Sequence, residues 1–301
     1  MDAQKANFEI TRMARLLGVT RQGYYAWCKH RESGPGPRAR RREVVDQAVR
    51  EAFHASDDVY GAPRITRELA AKGVVVDRKT VAESMRRQGL EGISPSMFTP
   101  VTTIQDPAAT GFADHAQRQW DQGRLDAVWT SDITYLRTGE GWLYLAAVCD
   151  GHSRRVLGWA MDECQDAGLV DRALRMAHTL RGTVPDGLVF HADRGTQYTS
   201  QTLFETCEEL VILQSMGRTG VCWDNAMAES FWVTLKTELY DRRSWSTRAE
   251  ARREIARWIE IVYNRPRLHS SFDYTSPVAF ENTIKHGQAK TEEHTDQAQA
   301  A

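Results

Sequence analysis

The sequence predicts an α/β protein, a mixed five-stranded sheet with helices on its faces, preceded by small all-α units. Three observations predict it. Residues before 93 carry helical periodicities and no strand pattern. From Asp126 to Met161 the texture changes to runs rich in Val, Ile, Trp, Tyr and Leu. Beyond them, short apolar runs of strand length alternate with helical segments, an order that places helices against a sheet. With 301 residues, 41% hydrophobic and 26% charged, the chain has room for two or three folding units and is neither collagenous nor wholly disordered. No apolar run approaches the roughly eighteen residues that a membrane span requires. The opening MDAQKANFEITR lacks the apolar core of a secretory signal, so the expected location is the cytosol. Cys28, Cys149, Cys164, Cys207 and Cys222 are scattered without a CxxC pair, which favours reduced thiols over a disulfide framework or a zinc knuckle.

Residues 1–32 read as a short helical segment, with Phe8, Met13, Leu16 and Leu17 at helical spacing and a second piece around Tyr24, Tyr25 and Trp27. SGPGPRARRR, residues 33–42, combines Gly, Pro and arginines without apolar content and is expected to be an exposed basic linker. Residues 43–92 then predict a helix-turn-helix domain. Val44, Val45, Ala48, Val49, Ala52 and Phe53 line one helix, Ile65 and Leu69 a second, and Asp77 N-caps a third running from Arg78 to Gln88. That last helix carries Arg78 and Lys79 in its first turn and Arg86 and Arg87 in its last, the charge needed to lie against phosphates. An ordinary hairpin with a solvated basic face is the alternative. Residues 93–120 look like a connector.

AVWTSDITYL, WLYLAAVCD and RRVLGWAM, separated by short Gly- and Asp-containing breaks, predict three consecutive antiparallel strands. A helix from Leu169 to Leu180, a strand from Leu188 to His191, a helix from Gln201 to Leu210, a strand from Val211 to Met216 and a long helix after Asn225 complete the order. The core is placed at 121–245, a helical extension at 246–284 and a disordered polar tail at 285–301.

The net charge of −1 conceals a segregation. Residues 1–100 hold 18 Lys+Arg against 12 Asp+Glu, and residues 101–240 hold 11 against 19. A basic part beside an acidic one suits a protein that grips a polyanion with one and concentrates carboxylates for a cation with the other. Within the acidic part, Asp132 lies inside an apolar strand, where an uncompensated charge is costly. Asp193 follows the fourth strand, at the sheet edge where ligand sites form. Glu229 lies in the first turns of the long helix. If the first and fourth strands are neighbours, all three converge. Carboxylates about 4 Å apart repel by roughly 4 kcal/mol per pair at a surface-like dielectric, so a cation must offset them. All-oxygen ligands point to Mg²⁺, with Mn²⁺ as substitute, and two such ions suit an in-line phosphoryl displacement. His191 reads as a packed or hydrogen-bonded strand histidine and Asp150 as a turn residue. The residues alone leave a glycoside hydrolase and a DNA-binding regulator open beside a nuclease or strand transferase.

The ordered motifs WTSDITYL, GWLYLAAVCDGHSRRVLGWAM, HADRGTQYTS, WDNAMAESFWVTLKTEL and YNRPRLHSSFDYTSPVAFE close the choice by resemblance. With YGAPRITRELAAKGVVVDRKTVAESMRRQGL before them, they resemble the B-frame (OrfB) transposases of the "IS three" family of bacterial insertion sequences, members of the DDE superfamily with a core like retroviral integrase and RNase H. Thirty-five residues separate Asp193 from Glu229, matching the family's spacing. The resemblance implies an RNase H-like fold and a transposase in which Asp132, Asp193 and Glu229 bind two divalent metals and cleave and join DNA at element ends. It also implies a DNA contact at Lys236, seven residues after Glu229. Asn225, at the start of that helix, caps it or contacts DNA. Expected partners are double-stranded DNA, further copies of the chain assembled on it, and an upstream-frame (OrfA) protein or fusion; a regulator without catalysis is the alternative.

Overall fold

The computed structural model describes residues 1–34, 36–93, 113–217 and 226–287. The chain divides into two compact units, Met1–Ile93 and Ser94–Ala301.

The first unit is all-helical. Helices α1 (Ile10–Leu16) and α2 (Arg21–Glu32) are followed by α3 (Pro37–Ala55), α4 (Ala62–Ala71) and α5 (Arg78–Gln88). The segment expected to be a basic linker is therefore helical from Pro37 onward. Proline at the first helical position has its φ already set and loses no hydrogen bond, and the Arg-Ala-Arg-Arg-Arg run that follows has high helix propensity despite its charge. Val45, Val49, Phe53, Ile65, Leu69, Val81 and Met85 form the buried interior of α3–α5. Asp77 caps α5 as expected, its carboxylate accepting from the Lys79 N–H at 2.6 Å, and Gly89 ends the helix at φ +66°.

The second unit is built on a five-stranded sheet of order β3-β2-β1-β4-β5, with β1 Val128–Thr138, β2 Gly141–Asp150, β3 Val156–Asp162, β4 Val189–Ala192 and β5 Leu213–Met216. The first three strands are antiparallel, whereas β4 runs parallel to β1 and β5 parallel to β4. The RNase H-like arrangement expected from the motifs is the one observed. Alternation along the strands divides the side chains between two layers. Leu143, Leu145 and Ala147 of β2 pack with α8 (Ala226–Glu238), α9 (Arg248–Arg257) and the π-helical turn Trp258–Tyr263. Ala146 and Val148 face the other way, onto α6 (Ala167–Arg181) and α7 (Gln201–Glu209). Gly158 of β3 is required there, since a Cβ would collide with the α6 backbone at Ala173 and Ala177. The expected helical extension at 246–284 packs into the first of these layers through Ala251, Ile255, Trp258, Ile259 and Tyr263, and a last helix, α10, covers 277–287.

Candidate active site

The three acids predicted from the sequence come from β1, the end of β4 and α8. In β1, Trp129 and Ile133 pack on the α6–α7 side, so the alternation turns Asp132 to the α8 side, with Leu136. Strand β4 pairs with β1 in the register Thr130↔His191. Continued by two residues, that register sets Asp193 level with Asp132. Glu229 stands three residues before Trp232, on the neighbouring turn of the same helix face, and the Trp232 indole N–H donates to the Asp132 Oδ2 at 2.9 Å. The other Asp132 oxygen accepts from the Ile133 N–H at 2.7 Å. Glu229 and Asp193 are exposed, and Asp132 is half-buried with its carboxyl group desolvated.

Electrostatics reports the convergence. Burial first, then the charge of Asp193, pushes the Asp132 carboxyl up to about 7, with Glu229 adding to the push. The hydrogen bonds from Ile133 and Trp232 oppose it. Burial also raises Glu229 above the usual carboxylate range. Among the described residues no three His, Cys, Asp or Glu side chains close into a group able to hold a metal ion. The acids thus stand within electrostatic reach without forming a closed ligand shell. Their chemistry fits a hard cation: every donor is a carboxylate oxygen, and a positive charge would offset the burial and the repulsion that raise the Asp132 carboxyl.

Beneath them lies Tyr198, fully buried, its hydroxyl 2.9 Å from the Ser131 Oγ. Burial, then the charge of Asp132, keeps that phenol protonated well above its ordinary range. Neither Trp232 nor Tyr198 was singled out from the sequence. A signal for Trp232 was available: a buried indole needs an acceptor for its N–H, and it stands one turn from Glu229.

His191 is a buried strand residue bonded to Ser215 through Nδ1 at 2.9 Å, as expected of a packed histidine. Asp150, expected as a turn residue, is instead the last residue of β2, and its carboxylate accepts from the N–H groups of His152 and Ser153 in the following turn and of Asp126. Lys236 reaches over the ring of Tyr135. Asn225 lies outside the described residues. In the first unit Arg78, Lys79 and Arg86 are exposed, whereas Arg87 is held by Asp46 of α3 at 2.6 Å, an acid that also accepts from Ser84 at 2.5 Å. Arg87 therefore fastens α5 to α3.

Family comparisons agree with the geometry. Two models described as an integrase core domain match residues 123–222 and 210–277, and one described as an HTH-like domain matches 39–97. The second unit thus carries the core of an integrase-type protein and the first a helix-turn-helix-like domain. The Escherichia coli K12 transposase InsF for insertion sequence IS3A is 39% identical over 282 residues, covering 94% of this chain and 97% of the relative. A 31 kDa protein of insertion element IS600 from Shigella sonnei is 36% identical, covering 89% and 97%. The chain belongs to the IS3 family of insertion-sequence transposases. Among solved structures, the catalytic core of BIV integrase aligns over 55% of this chain and 99% of its own, at 18% identity and a TM-score of 0.42. An HTLV-2 integrase core in complex with magnesium aligns over 52% and 95%, at 16% identity and a TM-score of 0.38.

Proposed function

We propose that this transposase cleaves and joins the ends of its insertion sequence by phosphoryl transfer, with Asp132, Asp193 and Glu229 holding two divalent cations, Mg²⁺ or Mn²⁺. One observation carries the reading. Asp132 is a desolvated carboxyl in mid-strand whose neighbouring charges are two further acids, and none of the principal groups acting on it is a cation. Such an arrangement is costly unless a positive charge arrives with the substrate.

When bound, the cations supply Lewis acidity at the phosphate and acidify the attacking water or 3′-hydroxyl. The protein supplies placement. Ile133 and Trp232 each occupy one lone pair of the Asp132 carboxylate, fixing its plane and leaving a lone pair on each oxygen for a ligand. Asp193, at the end of β4, and Glu229, on α8, bring the other oxygens from separate elements, and Glu229 closes onto the pair when DNA is engaged. Displacement is direct, with no covalent protein intermediate. Lys236 contacts the DNA near the acids, while Arg78, Lys79 and Arg86 bring phosphates to α5. The basic helical domain at 43–92 grips the element end and the core at 121–245 performs the chemistry. Copies of the chain assemble on DNA in the cytoplasm, with or without an upstream-frame partner.

The test is nicking of DNA carrying the element ends, with Mg²⁺ against a chelator. Nicking that requires the cation supports the reading. Binding without nicking, with ends and any upstream-frame protein supplied, favours a regulator.

A further inference from the structure

The β1–β2 hairpin turns two aromatic rings outward. Tyr135 and Trp142 are 57% and 43% exposed, and their rings meet edge to face with centroids 5.4 Å apart. Each lies beside a cation. The Lys236 Nζ is 5.5 Å from the Tyr135 ring centroid and the Arg137 guanidinium 5.7 Å from that of Trp142. Arg137 and Trp142 are direct cross-strand partners, so the hairpin itself sets their pairing. Among the described residues neither cation is engaged by a carboxylate. The fold thus leaves two flat apolar faces and two positive charges in water.

Lys236 connects this patch to the acids. It follows Glu229 by seven residues, about 10 Å along a helix and on the same face. Tyr135 stands three residues beyond Asp132 in β1, so alternation turns the two side chains to opposite faces of the sheet, and Lys236 reaches the Tyr135 ring from the helix that bears Glu229. We propose that Tyr135 and Trp142, flanked by Arg137 and Lys236, form a stacking platform for an unpaired nucleobase of the DNA strand held at the acids.

This rests on the DNA-processing reading above and adds to it a preference for strand ends whose bases are free. Every base offers a π-face, so the platform tolerates any sequence. Inside a duplex both faces of a base are covered by its neighbours, so the rings engage only where pairing is lost. The cations take the flanking phosphates.

The experiment uses the full chain in EDTA, so that no strand is cut. A duplex ending in a short single-stranded overhang, with 2-aminopurine placed in turn at each overhang nucleotide, is compared with the blunt duplex. The overhang should bind about ten-fold tighter, with quenching of the probe. Trp142→Ala and Tyr135→Ala should abolish the preference while affinity for the blunt duplex stays within about two-fold, and Trp142→Phe should retain the quench. Both side chains are exposed; if Trp142→Ala fails to fold, Tyr135→Ala reads the same surface. Alanine variants that keep the wild-type preference and quench overturn the platform. Wild-type protein that binds both duplexes equally overturns it and leaves the DNA reading standing, whereas wild-type protein that binds neither overturns both. Variants that lose self-association but keep the preference assign the patch to a contact between copies, which also overturns the proposal.

Discussion

Two groups of acids in the second unit face the same physical problem and receive opposite solutions. Glu281, from α10, is buried, and Arg181 meets it with two hydrogen bonds while Arg155 and Ser153 add one each. Arg181 also reaches Asp126, just before β1, at 2.7 Å. Burial pushes the Glu281 carboxyl up, but the hydrogen bonds and charge of Arg181, then of Arg155, outweigh it and hold the group at about 2. A few residues further along β1, Asp132 has no such partner, and burial with like charge lifts it to about 7. The first group is complete within the protein and ties α6, the β2–β3 turn and α10 together. The second has no cation among the principal groups acting on Asp132, and the proposed function assigns that role to the bound metal.

That contrast is broken most easily by exchanging which acids matter for what. Asp132→Asn, Asp193→Asn and Glu229→Gln should each lower Mg²⁺-dependent strand cleavage by at least roughly 10³-fold, with DNA binding retained in a mobility-shift assay. The thermal midpoint of Asp132→Asn should stay close to wild type, because relief of the carboxyl's repulsion is offset by the loss of one acceptor for the Ile133 or Trp232 N–H. A variant cleaving at wild-type rate would take its residue out of the site. Glu281→Gln should do the reverse, destabilising the second unit by about 3 kcal/mol in denaturant unfolding, because half-buried Arg155 loses its carboxylate and buried Arg181 keeps only Asp126 as counter-charge. Wild-type stability in that variant would show the cluster to be expendable.

A smaller effect follows from acid. Glu281 has its carboxyl lowered from 4.5 to about 2, so its contribution is fully present above the unfolded value and is lost as pH falls toward the folded one. Unfolding monitored between about pH 5 and pH 2 should show a loss approaching roughly 3 kcal/mol that is absent in Glu281→Gln. Parallel pH profiles for the two proteins would remove Glu281 as the cause. The smallest change concerns α5. Replacing Arg78, Lys79 and Arg86 by Ala should weaken DNA binding and reduce the slope of log affinity against log salt by up to about 3. Arg87 is left in place, since it pairs with Asp46 of α3. An unchanged slope would return that face to ordinary solvated surface.

Much of this architecture was legible because local pattern and tertiary packing agree. The three apolar runs after Asp126 became β1–β3, and β4 pairs in parallel with β1 as neighbouring first and fourth strands. The linker was misread because Gly, Pro and arginine look like a loop by composition, although proline at a first turn followed by Arg and Ala favours helix. The Arg87–Asp46 pair, the Trp232–Asp132 bond and the arginines around Glu281 were not legible. Each joins residues far apart in sequence, and no periodicity records which distant side chains meet.

The central claim is geometric, and anomalous scattering from Mn²⁺ in crystals of the full chain with end DNA would address it directly. The account predicts Mn²⁺ bound between Asp132 and Asp193, with Glu229 drawn in to complete the ligands. Mn²⁺ located elsewhere, or Glu229 remaining apart from an occupied Asp132–Asp193 pair, would contradict it.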